Sequence, residues 1–242
     1  MFWNKNKKLP ITEEDKIWVD EDLNWLRAEF GEEHFMEIRT VTPTKDFYER
    51  TFDGTEKDAE FILERTKELM GIGGLNLKLD FFSDSPIEMD DGTILTTPAD
   101  ISGSWKSASG IYQQFENDTT ISIERKQLKN PISLIATISH ELAHQILLGE
   151  NRVEENDEFL TDFTAITYGF GIFIGNSRFQ FISQGLGWQS SSQGYLPEQI
   201  IAYAMAWLSK ERNEKIDYGQ FLNKSLKKYF EQSLDWLIEN EK

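Results

Sequence analysis

Cysteine is absent from the 242 residues, which excludes disulfides and any metal site built on thiolate. The absence fits a reducing compartment. Histidine is nearly as scarce: His34, His140 and His144 are the only three, so any imidazole chemistry has to come from them. Basic residues are outnumbered, 25 Lys and Arg against 42 Asp and Glu, for a formal net charge of −17. A surface of that sign argues against nucleic acid or an anionic membrane as a partner, and its ordinary consequence is solubility. Long apolar runs are missing too. The longest, Phe163 to Ile174, is interrupted by Thr and Gly and is too short to span a bilayer. The stretch Met1 to Pro10 is basic but has no apolar core of signal-peptide length. These absences lead to the expectation of a soluble, cytoplasmic protein.

What is present starts with apolar content. Hydrophobic residues make up 39% and aromatics 13%, enough for one large core, and one compact domain is the expectation for this length. The centre of the chain is Ile138-Ser139-His140-Glu141-Leu142-Ala143-His144-Gln145-Ile146. On a helix, positions i and i+4 share a face, so His140 and His144 point the same way. Two neutral imidazoles so placed can grip one Zn²⁺, and Glu141, about 100° round the helix, can reach a metal-bound water as general base. This is the HExxH pattern of zinc peptidases. With no cysteine available, the remaining ligands must be His or carboxylate.

The surrounding pattern is mixed. Residues 1–19 are expected to be a loosely ordered lead-in, with Phe2, Trp3 and Trp18 offering some docking. Asp20 is a candidate cap for a helix over 21–30, stopped by Gly31, with Trp25 off its apolar stripe. His34 follows in an acidic stretch and reads as a surface or helix-end residue, the alternative being a site histidine. A helix is expected over 55–70. The alternation of Leu75 to Phe81 predicts a half-buried strand, and Ser83 to Thr97 a loop with a short strand at Ile94-Leu95. Residues 110–115 and 119–123 predict a hairpin. Asn130 and Pro131 open the motif helix, expected to run to Leu148 and stop at Gly149. From Phe163 to Gly175 the pattern is apolar all round, as in a central helix, with Gly169 and Gly171 permitting close packing or a bend. Arg178 to Gln193 is a candidate active-site rim. Helices are expected from Leu196-Pro197 to Glu211, and from Asp217 onward.

Three protein ligands plus water are usual in a catalytic zinc site, so a downstream carboxylate is required. Glu150 to Asp157 forms an acidic loop, and a helix opening at Glu158 puts Glu158 and Asp162 one turn apart on one face. HExxH followed by a helix opening Glu-x-x-x-Asp resembles the gluzincin branch of the zincin metallopeptidases. That resemblance implies Glu158 as third zinc ligand and Asp162 as the partner orienting His140 or His144. The chain is also similar to a group of uncharacterised bacterial zincin-like proteins, through Gly110-Ile111-Tyr112, the HELxH helix, Leu160-Thr161-Asp162, Gly169-Phe170-Gly171-Ile172-Phe173 and Asn176-Ser177. The similarity covers about residues 40–210 and carries no known substrate. Thirteen residues separate His144 from Glu158, fewer than gluzincins commonly have, so Glu154, Glu155 and Asp162 stay open as alternative ligands.

The expectation that follows is an α+β, zincin-like fold as a single domain over 1–242, with a helix-plus-sheet part at 20–130 and a metal-site and helical part at 131–242. The implied activity is a zinc metallopeptidase acting on a peptide or protein substrate. Glu141 is its general base and Tyr195 a candidate for stabilising the oxyanion, the alternative for Tyr195 being packing. The substrate strand would pair with the sheet at Ile121-Ser122-Ile123 or near Tyr112. The competing function is a metal-binding or degenerate zincin-fold regulatory module with little catalysis. Oligomeric state is not legible in the sequence.

Overall fold

A computed structural model describes residues 8–83, 87–88, 94–95, 110–115, 118–183 and 196–240. Its helices are α1 (Glu13–Phe30), α2 (Glu32–Glu37), α3 (Glu56–Leu69), α4 (Pro131–His144), α5 (Glu158–Ala165), α6 (Gly171–Ser183), α7 (Glu198–Glu211) and α8 (Lys224–Asn240). The strands are β1 (Leu77–Phe82), β2 (Ile87–Glu88), β3 (Ile94–Leu95), β4 (Gly110–Phe115) and β5 (Asp118–Glu124). The class is α+β. Two compact units are present, one of residues 51–152, the other of residues 1–50 together with 153–242.

In the unit of residues 51–152, α3 starts where its capping box dictates. The Thr55 hydroxyl accepts the Asp58 amide and the Asp58 carboxylate takes the Thr55 amide, satisfying two donors that a helix start leaves open. Ala59, Ile62, Leu63 and Met70 recur at helical spacing and are buried. The strand expected over 75–81 forms as β1, two residues later at its start. Leu77 is buried, and Lys78 and Asp80 are exposed, the period-2 pattern of a half-covered sheet.

The hairpin of β4 and β5 is present, with Tyr112 opposite Ile121 and Phe115 opposite Asp118. Strand β5 also pairs in parallel with β1, Leu79 opposite Ile121, so the order is β1-β5-β4. This corrects one expectation. Ile121-Ser122-Ile123 is paired on both sides, and Ile121 and Ile123 are fully buried, so that strand offers no free edge. Among the described strands, β1 and β4 are the edges of this sheet, and β4 is the one that carries Tyr112.

The motif helix α4 begins as its residues require. Asn130 Oδ1 accepts the amides of Ile132 and Ser133, and Pro131 stands in the first turn, where no amide is missed. Ile135, Ile138, Leu142 and Ile146 form the buried stripe, joined by Leu134, Ala136 and Ala143. The helix packs on α3 and β4. Past His144 it widens into a π-helical turn over Gln145–Gly149.

In the other unit, α1 starts at Glu13, eight residues before the expected helix start and within the expected lead-in. Thr12 and Asp15 form a second capping box. Asp20 is therefore not a cap but a mid-helix residue, taking Lys16 Nζ at 2.6 Å and the Tyr203 hydroxyl at 2.7 Å. Trp18 does dock, edge-on to Phe159 and Phe163, and Trp25 is partly exposed.

The apolar run beginning at Phe163 is core, with Phe163, Ala165, Phe170, Ile172 and Phe173 wholly buried. It is two helices rather than one. Gly169 adopts φ +94°, a left-handed conformation that favours glycine, and its carbonyl accepts the Val41 amide at 2.9 Å. Gly171 leaves no space for a Cβ beside Met205, so one glycine makes the bend and the other the close packing.

Helix α6 continues through Ser183, so Arg178 to Ser183 is helical and not loop; residues 184–195 lie outside the described residues. Helix α7 forms as expected. The last helix starts at Lys224 rather than near Asp217, because Asn223 is its cap, Oδ1 taking the Ser225 and Leu226 amides. Ile216–Phe221 is instead a 3₁₀ turn. Among the described residues no helix is long and apolar enough to cross a membrane.

Candidate metal centre

The helix α4 that carries the HExxH motif is covered by apolar neighbours, and its polar side chains are spoken for locally. Thr137 donates to Gln127 Oε1 at 2.9 Å and Ser139 to the Ala136 carbonyl at 2.9 Å. His140, Glu141 and His144 are the ionisable side chains of this helix. His144 is 4% exposed and Glu141 6%, while His140 is half-buried. The two imidazoles stand one turn apart with ring centroids 4.8 Å from each other and planes at 90°, as the i, i+4 spacing requires.

Glu141 is on the turn between the two histidines. The π-helical turn follows directly after His144. Such widened turns gather at functional sites because they redirect side chains without ending a helix. Gly149 closes it, since the Gln145 amide lies where a Cβ would be.

Helix α5 supplies the acids. Asp157 is its cap, Oδ1 accepting the amides of Phe159 and Leu160 at 2.9 and 3.1 Å. Glu158 is therefore the first helical residue, half-buried, and its Oε1 accepts a hydrogen bond from Asn156 Nδ2 at 2.9 Å. Asp162, one turn on, is 3% exposed, and its Oδ2 is 3.5 Å from the Leu196 amide.

The field around the start of α5 is acidic. Asp22 on α1 has its carboxyl pushed up to about 6, by burial first and then by the charge of Asp157, while a hydrogen bond from Trp18 works against the rise.

Among the described residues, His140, His144 and Glu158 form a group able to hold a metal ion, each offering a ligand atom within 4.8 Å of the others. Two imidazole nitrogens and one carboxylate oxygen suit a borderline divalent ion. Glu154 and Glu155 are exposed in the preceding loop, and neither they nor Asp162 belong to the group.

His34 is exposed on α2, its ring 5.9 Å from that of Tyr168, and it takes no part. Tyr195 lies outside the described residues. Asn156 was not singled out by sequence reasoning, although an amide two residues before a candidate ligand and next to a helix cap was a readable signal. No protein-family model, curated protein or solved structure matches the chain.

Proposed function

We propose that the protein is a zinc-dependent metallopeptidase of zincin-like, gluzincin type. The observation that carries the reading is the grouping of two imidazoles and one carboxylate around the HExxH helix, His140, His144 and Glu158, with the buried Glu141 on the turn between the histidines. A purely structural site has no use for an acid at that position; a hydrolytic one does.

When bound, a divalent ion supplies Lewis-acid polarisation and lowers the pKa of a water towards ~7. The chain's own residues do the rest. His140 and His144 bind as neutral imidazoles from one helix face, and Glu158 contributes the anionic ligand. Glu141 takes the proton of the attacking water and passes it to the leaving amine. Asp162 is the candidate for orienting a ligand histidine, and Tyr195 for stabilising the oxyanion. Strand β4, at the edge of its sheet among the described strands and packed on α4, is the backbone edge an extended peptide would extend by one strand.

The test is Glu141→Gln assayed on a peptide library. Metal content should be unchanged and hydrolysis should fall by about 10²- to 10⁴-fold, the usual worth of a general base. An unaltered rate would refute the role given to Glu141.

A further inference from the structure

We propose that Asn156 is a positioning residue for Glu158: it occupies one carboxylate oxygen, so that a metal ion receives a single oxygen from this side chain. The inference rests on the reading of His140, His144 and Glu158 as a metal centre.

Its starting point is the hydrogen bond from Asn156 Nδ2 to Glu158 Oε1 at 2.9 Å. The residue between them is locked. Asp157 Oδ1 takes the amides of Phe159 and Leu160, and its carbonyl takes both the Thr161 amide at 2.9 Å and the Thr161 hydroxyl at 2.7 Å. With the backbone at 157 held on two sides, the side chains at 156 and 158 leave the chain from fixed positions. Asn156 is exposed and Glu158 half-buried.

A free carboxylate can approach a divalent ion through one oxygen or through both. An amide N–H on Oε1 draws on the lone pairs of that oxygen and leaves Oε2 as the better donor. One oxygen from Glu158 and one nitrogen from each histidine make three ligands, which keeps a fourth position open for water. Two oxygens from Glu158 would crowd that position. Asn156 thus sets the coordination number, a role that outer partners of ligands commonly take.

The test uses Co²⁺ as a spectroscopic probe on the full chain. Co²⁺ is titrated against a competing chelator into the wild-type protein, Asn156→Ala and His140→Ala. Four-coordinate Co²⁺ absorbs visible light strongly and five-coordinate Co²⁺ weakly.

The wild type should show the strong band, and His140→Ala should lose it. Asn156→Ala should bind about 10-fold more weakly, the lower end of what losing such a partner costs, with a clearly weaker visible band. The far-UV circular dichroism should not change, because the side chain is exposed. Unchanged affinity and spectrum in Asn156→Ala overturn the inference while leaving the metal centre standing, and weaker binding with an unchanged spectrum overturns the single-oxygen claim. A wild-type protein that takes up no Co²⁺ overturns the metal reading itself.

Discussion

Replacing Gly169 by alanine should cost far more than the loss of a glycine usually does, and the structure gives the reasons separately. The residue sits at φ +94°, where a side chain costs about 1–2 kcal/mol. A Cβ built there would stand 2.3 Å from the Arg39 carbonyl oxygen and 3.2 Å from the Val41 nitrogen. Both neighbours are backbone, so no side chain can rotate to make room. Displacing packed chain in this way costs about 1–3 kcal/mol, and moving Val41 away weakens its 2.9 Å bond to the Gly169 carbonyl, worth about 1 kcal/mol. The sum is about 3–6 kcal/mol, a large part of a total stability that is about 5–15 kcal/mol in most proteins. Gly71→Ala is the control. It shares the left-handed backbone, φ +74°, but nothing lies within 4 Å of its Cβ, so only the conformational cost of about 1–2 kcal/mol applies. Urea unfolding of the two variants beside wild type measures both. Equal losses, or a loss below about 1 kcal/mol at Gly169, would refute the packing argument.

Two further predictions concern acid–base balance and the approach to α8. The Asp22 carboxyl is raised in the fold from 3.8 to about 6, so the folded chain holds this proton more tightly than the unfolded one. Its contribution to stability is present below pH ~4 and lost as pH rises to ~6. Asp22→Asn should therefore melt higher than wild type at pH 7 and about equally at pH 4; a variant that melts lower at pH 7 contradicts this. Asn176 Nδ2 donates to the Phe221 carbonyl at 2.7 Å and Oδ1 accepts the Asn223 amide at 2.8 Å, bracing the turn that caps α8. Asn176→Ala should cost about 1–3 kcal/mol and speed hydrogen exchange at the Asn223 amide, whereas unchanged exchange would remove the bracing role.

Local signals carried most of what was legible in the sequence. Asn130-Pro131 before an apolar run marked the start of α4, and the i, i+4 histidines placed their own side chains on one face, since helix geometry leaves little else. The helix expected to open at Glu158 does so, with Asp157, assigned to the loop in the sequence, as its cap. Two errors came from choosing among caps. Thr12-Glu13-Glu14-Asp15 is a capping-box pattern that outweighs Asp20, and Asn223 outweighs Asp217, which lies in a 3₁₀ turn. The parallel pairing of β1 with β5 joins residues about forty apart in sequence, and nothing in either strand names its partner. That pairing turned a supposed edge strand into the centre of the sheet. The hydrogen bond from Asn156 to Glu158 went unread because the cap between them, Asp157, was assigned to the loop.

The central claim is the metal centre, and elemental analysis tests it most directly. Protein purified without chelator and without a metal-affinity tag is analysed beside His140→Ala. The account predicts about one zinc per chain in the wild type and its loss in the variant. Wild-type protein that carries no divalent metal, and takes none up when zinc is supplied, would contradict it.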